Sequence, residues 1–185
     1  MAIKKYSKVK FTLRKELIII LASIVVLLVA TILFNLPNEE EKFLTKWQES
    51  GAQISENHLY TEVSTLDELK GILESKSETE TTLVFFATPS SESVGYFQQI
   101  ITLADKCNVE KVYILDSSFV DGKTEEELET LAADFKDMNL ESNLNFWAFK
   151  GTTVIESVDK YEDTTDKWNV AFAKIFVEAY KGKTE

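Results

Sequence analysis

The sequence predicts an α/β fold, a mixed β-sheet with helices on both faces, preceded by one N-terminal transmembrane helix. Three observations predict it. The stretch from Leu17 to Phe34, LIIILASIVVLLVATILF, is 18 residues without a charge. Downstream, apolar runs of strand length alternate with stretches whose apolar residues recur at helical spacing. Near the end, two strand-like runs follow one another across a single Lys-Gly pair, Lys150-Gly151.

The N-terminal run is close to the ~20 residues needed to span ~30 Å of hydrocarbon. A helix satisfies its own backbone polar groups in lipid. Lys4, Lys5, Lys8, Lys10, Arg14 and Lys15 precede the run, and Asn38-Glu39-Glu40-Glu41 follow it. The basic flank is therefore expected in the cytoplasm and the acidic side outside. A cleaved signal peptide has a shorter apolar region of ~7–15 residues and a small-residue cleavage site. Here bulky Ile32, Leu33, Phe34 and Leu36 close the run instead. The expected organisation is a cytoplasmic flank over 1–16, a transmembrane helix over 17–36, an acidic juxtamembrane stalk over 37–57 and a folded domain over 58–185. The protein is then a single-pass cell-membrane protein with an extracellular C-terminal domain.

Flank and anchor hold six of the 20 basic and one of the 31 acidic residues, which leaves 14 basic and 30 acidic, a net charge of −16. That balance argues against nucleic acid or anionic headgroups as direct partners. It suits solubility or a basic partner. The single cysteine, Cys107, excludes an intramolecular disulfide, a CxxC motif and a cysteine-rich metal site. Its setting, LADKCNV, is that of a small core residue in a helix.

In the stalk, Phe43, Leu44 and Trp47 have helical spacing, and Ser50-Gly51 ends that short helix. His58–Ser64 alternates in polarity and suits a strand. Thr65 and Glu68 have capping-box spacing, followed by Leu66, Leu69 and Leu73 on one helical face. Thr81–Thr88, TTLVFFAT, is continuously apolar, as a strand covered on both faces requires. Pro89 breaks it, and Ser90 or Ser91 caps a helix with Val94, Phe97, Ile101 and Ala104 on its apolar face. Lys111–Asp116 is another buried strand. Thr124 and Glu127 form a further capping box ahead of Leu128, Leu131, Ala132 and Phe135. Leu144–Phe149 and Thr152–Val158 pair as an antiparallel hairpin. A last helix from Thr164 or Thr165 carries Trp168, Phe172, Ile175, Phe176 and Ala179. The order is β-α-β-α-β-α-β-β-α. Parallel crossovers are expected early in the chain and antiparallel pairing late.

This order over His58–Tyr180 resembles the thioredoxin fold. The segment LVFFATPSSESV, Leu83 to Val94, is similar to the thioredoxin strand that runs into a CxxC motif at a helix start. Ser90 and Ser93 stand at the two cysteine positions. WAFKGTTVIES, Trp147 to Ser157, is similar to the late thioredoxin hairpin. The family's buried acid falls at Val84, and its cis-proline at about Leu144. The resemblance is looser, through FFATPSSES and the anchor, to the membrane-tethered bacteriocin-transport accessory family of Gram-positive bacteria. It implies a peptide-binding groove at Pro89, Ser90, Ser93, Asn143 and Leu144.

Thiol–disulfide exchange needs an attacking thiolate and a resolving thiol, and serines supply neither. A serine nucleophile needs a base and an orienting acid; the only histidine, His58, precedes the first strand, and no GxSxG elbow is present. The acids of DGKTEEELE, Asp121 to Glu129, suit a solvated helix start rather than a calcium loop. No metal, no small-molecule cofactor, no catalytic residue and no nucleic acid are expected. The expected function is redox-inactive: a binding, adaptor or chaperone-like module with a protein or peptide partner, in export or envelope assembly. Two alternatives stand beside it. One is a thiol-disulfide oxidoreductase relative with its cysteines replaced by Ser90 and Ser93. The other is a structural subunit of a membrane complex.

Overall fold

The computed structural model describes residues 22–27, 29, 39–54, 59–159 and 172–177. The chain forms two compact units, residues 1–38 and 39–185. In the first, residues 22–27 and 29 are helical, and Ile24, Val25, Val26, Leu27 and Val29 are exposed. Among the described residues, no helix is long and apolar enough to cross a membrane. The flank at 1–16 and most of the expected span at 17–36 lie outside them, as do His58, Thr164, Thr165, Trp168 and Ala179.

The second unit runs α1 (Glu39–Glu49), β1 (Tyr60–Val63), α2 (Leu66–Ser75), β2 (Thr81–Ala87), α3 (Ser91–Lys106), β3 (Val112–Leu115), a 3-10 turn (Ser117–Val120), α4 (Glu125–Ala132), β4 (Leu144–Lys150) and β5 (Thr153–Asp159). Residues 172–177 are again helical. The five strands form one mixed sheet in the order β1-β3-β2-β4-β5. β3 pairs in parallel with β1 and β2, while β4 pairs antiparallel with β2 and β5. The early parallel crossovers and the late hairpin expected from the sequence are both present. The hairpin turns at Gly151, whose φ of 52° lies in the left-handed region.

β2 is β-branched and aromatic, and it is the central strand of the sheet with both faces covered. Alternation along it divides the core in two. Leu83, Phe85 and Ala87 face a layer built from α1, α3 and the 172–177 helix. Val84 and Phe86 face a layer built from α2, the 3-10 turn, α4 and the segment 135–140. Helices thus cover both faces of the sheet.

The first layer is an aromatic stack. The Phe97 ring lies 4.3 Å from Trp47, 5.6 Å from Tyr60 and 6.0 Å from Phe85, centroid to centroid. Trp47 and Phe43 come from α1, which the sequence assigns to a stalk. The helix is there, but its apolar face is part of the core: Phe43, Leu44, Trp47 and Ala52 are all buried. The compact unit begins at Glu39 rather than at residue 58. Gly51, with φ of 102°, closes α1, and the amide of Ala52 returns to the Trp47 carbonyl at 2.9 Å.

Two helix faces differ from their sequence reading by a residue. In α3, Ile100 is fully buried and Ile101 only partly so. In α4, Ala132 is buried but Leu131 is exposed at 37%. Phe135 is buried beyond the end of α4. Cys107 caps α3 and is half-buried against the first core layer.

Thr124 and Glu127 complete the expected capping box. The Glu127 carboxylate accepts from the Thr124 amide at 2.8 Å and from its hydroxyl at 3.0 Å. The amide hydrogen bond, then the hydroxyl, hold the carboxyl below its usual range. A folded pKa below the unfolded value gives stability that is present above about pH 4.5 and is lost as pH falls through the folded value. We expect Glu127→Gln to flatten that part of the acid-unfolding curve, read by circular dichroism between neutral pH and pH 3.

Candidate functional site

β2 ends at Ala87, and the next three residues, Thr88-Pro89-Ser90, carry the chain to the N-terminus of α3. Proline has no amide to extend the ladder, and its fixed φ redirects the chain. Ser90 then takes an extended conformation, φ −155° and ψ 165°, as an N-cap does.

Ser90 and Ser93 form a reciprocal box. The Ser93 amide donates to Ser90 Oγ at 3.1 Å, and the Ser90 amide donates to Ser93 Oγ at 2.9 Å. The two hydroxyl oxygens are 3.0 Å apart. Ser93 Oγ also donates to the Thr88 carbonyl at 2.6 Å. Ser93 is 1% exposed, whereas Ser90 is exposed. Among the described residues, the side-chain partners of both are hydroxyls and backbone groups. Their chemistry is capping: each satisfies amides that α3 leaves unpaired.

Ser93→Ala removes a buried hydroxyl with partners on both sides, the Thr88 carbonyl and the Ser90 amide. We expect it to cost about 1–3 kcal/mol of stability. Ser90→Ala, at an exposed cap, is expected to cost about 1 kcal/mol. Urea unfolding of the two variants checks the order.

The β2–β4 register sets Leu144 directly beside Ala87, and Asn145 beside Phe86. The residues expected to line the groove, Pro89, Ser90, Ser93, Asn143 and Leu144, therefore gather at one end of the central strands. Pro89 is half-buried, Asn143 is exposed and Leu144 is buried. Ser93 is buried under the turn and does not present a surface, so the accessible groups are Pro89, Ser90 and Asn143. Among the described residues, no peptide bond is cis.

Asn145 holds the segment before β4. It is 1% exposed, and its Nδ2 donates to the Ser142 carbonyl at 3.0 Å and to the Asn139 carbonyl at 3.3 Å. Thr88 Oγ1 lies 2.9 Å from Ser117 Oγ and 3.3 Å from Asp116 Oδ1. Lys46 Nζ approaches Asp116 at 3.9 Å. The recess under this cluster, between Pro89, Trp47 and Glu62, has a volume of about 10 Å³. That is room for about one water, and it is no ligand pocket.

Sequence reasoning missed Thr88, Asp116, Ser117 and Asn145. The signal was present in two forms. Polar residues at the carboxyl ends of adjacent buried parallel strands sit where α/β sheets present their ligands, and an asparagine inside the apolar run LNFWAF needs a hydrogen-bond reason.

Val84, where the resemblance places a buried acid, is fully buried in the second core layer against α2 and Trp147. No carboxylate stands in that place.

No protein-family profile and no curated protein sequence matches this chain. Among solved structures, the chain is similar to a designed protein described through its backbone chemical-shift assignments, with 18% identity and a TM-score of 0.39. The similarity covers 68% of this chain and 97% of the designed one.

Proposed function

We propose that this chain is a membrane-anchored, thioredoxin-like module without redox chemistry. On this reading it binds an extended segment of another envelope protein at the outer face of a bacterial membrane. Its role is that of an adaptor or chaperone-like subunit in export or envelope assembly, like the bacteriocin-transport accessory proteins it resembles.

The fold assignment draws support from the sheet order β1-β3-β2-β4-β5, with β4 and β5 antiparallel, and from α3 and α4 on opposite faces. The anchor draws support from the uncharged run at 17–34 and from exposed Ile24, Val25, Val26 and Leu27 in its helical part. The observation that carries the binding role is the Ala87–Leu144 register. It brings the Pro89-Ser90 turn and the Asn143-Leu144 segment to one end of the central strands with no thiol between them. Backbone groups in such a groove can hold an extended peptide by main-chain hydrogen bonds.

A photo-reactive residue placed at Ser90 or at Asn143 tests this in intact cells. Both sites are expected to crosslink the same envelope protein, and Asn143→Arg is expected to weaken the Ser90 crosslink. Equal crosslinking from a control position at Glu78, or different partners from the two sites, would remove the groove.

One observation favours a second reading, a thiol oxidoreductase relative with replaced cysteines. The two serine oxygens are 3.0 Å apart, one exposed and one buried. That is the asymmetry an attacking and a resolving thiol require.

A further inference from the structure

Helical spacing makes an apolar face of Leu128, Leu131 and Ala132 on α4, yet only Ala132 is buried. Leu128 is half-buried and Leu131 is 37% exposed. Across from Leu128 and Ala132, the largely buried Met138 and Leu140 form a second apolar wall. Between them runs a groove of about 190 Å³. Glu125 and Glu129 from α4 and Glu141 from the facing segment stand on its rim. Among the described residues, these three carboxylates form no ion pair.

A volume of about 190 Å³ falls below the ~300–1,000 Å³ of small-molecule sites. It suits a side chain rather than a cofactor. The apolar floor wants an aliphatic or aromatic group, and the unpaired acidic rim wants cations beside it. A second copy of this chain is the wrong occupant, because it brings the same acidic surface and a net charge of −11.

We propose that this groove docks a cationic segment of a partner protein. One bulky apolar side chain seats against Leu128, Met138 and Leu140, and flanking Lys or Arg residues meet Glu125, Glu129 and Glu141. Buried anchors supply most of the affinity at such surfaces. Rim charges set the association rate, the salt dependence and the choice of partner. This surface uses none of the groups named for the Ser90–Leu144 groove, so either proposal can fail alone.

The test uses the full chain in mild detergent and a fluorescein-labelled 12-residue peptide of Lys and Ser with one central Leu. Anisotropy is expected to show binding that weakens with salt and falls about tenfold when that Leu becomes Gly. Glu125→Lys/Glu129→Lys is expected to weaken binding about tenfold, as charge reversal at a binding rim does. Glu141→Lys, which lies off the helix, is expected to weaken it in the same direction without touching α4. The pair Glu78→Lys/Asp105→Lys changes net charge equally and is expected to leave binding unchanged. Three results would overturn the proposal: equal losses for both double variants, no preference for the Leu peptide, or a rim variant that abolishes self-association of the chain in sedimentation.

Discussion

Replacing Trp47 with alanine is expected to remove about 3–5 kcal/mol from the unfolding free energy, the range for a large aromatic taken out of a packed core. The ring is 1% exposed and lies 4.3 Å from Phe97, 6.1 Å from Phe85 and 6.2 Å from Phe43. Its loss leaves a void that α1, α3 and β2 cannot close together, since each is held by other contacts. Domains of this size are stable by only about 5–15 kcal/mol. The variant should therefore unfold at a much lower guanidinium concentration, measured on the full chain in detergent by far-ultraviolet circular dichroism. A double-mutant cycle with Phe97→Ala should return a coupling of about 0.5–1.5 kcal/mol for the ring pair. A loss below about 1 kcal/mol for Trp47→Ala, well under the core range, would mean that α1 rests on the sheet without completing its core.

That expectation turns on the feature the sequence reading handled least well. Phe43, Leu44 and Trp47 were legible as a helix face, because periodicity reports a face. What periodicity does not report is the surface that covers the face. The acids Glu39, Glu40 and Glu41 and the neighbouring hydrophobic run made a stalk the natural reading, while Phe97 and Tyr60, which receive Trp47 and Phe43, lie many residues downstream. Segments whose partners are local fared better. The N-caps at Thr65, Ser90 and Thr124 are sequence-adjacent devices, and all three place their helix starts within a residue or two of expectation. Continuous apolar runs gave β2 and β3, and Gly151 gave the hairpin. α4 is the opposite case: Leu128 and Leu131 have helical spacing, but the second core layer covers Ala132 fully, Leu128 in part and Leu131 least, and no local rule tells which part of an apolar stripe is left uncovered. At the candidate site, the residue types were legible and the geometry was not. The sequence places Ser90 and Ser93 at a helix start, but only the packing around α3 separates an exposed cap from a buried one. The resemblance sets Leu144 opposite the motif, and its neighbour across the sheet, Ala87, follows from strand register, which no local pattern reports.

The double variant Ser90→Cys/Ser93→Cys, made with Cys107→Ser, is expected to form an internal disulfide yet not to become a catalyst. The hydroxyl oxygens are already 3.0 Å apart across the first turn of α3, so the sulfur atoms need only a small approach. Oxidised glutathione supplies the oxidant. The pair gives up two electrons and two protons as the disulfide bond forms, and glutathione disulfide accepts them to leave as two thiols. A helix N-terminus favours the thiolate at position 90, which is exposed. Turnover needs more, because the buried position 93 must lose its proton each time it resolves a mixed disulfide. Val84 is fully buried among apolar groups and offers no carboxylate to take that proton. Reduction of a protein disulfide by dithiothreitol in the presence of this variant should therefore run at the uncatalysed rate, although mass spectrometry shows the internal bond. Adding Val84→Asp does not repair this cheaply, since an unpaired carboxylate among Trp147, Leu69 and Phe86 either destabilises the second core layer by several kcal/mol or stays protonated. Fast turnover by the double-cysteine chain would reverse the functional reading: the groove would be that of an oxidoreductase whose two cysteines had been exchanged for serine, and the partner at Ser90 and Asn143 would be its substrate.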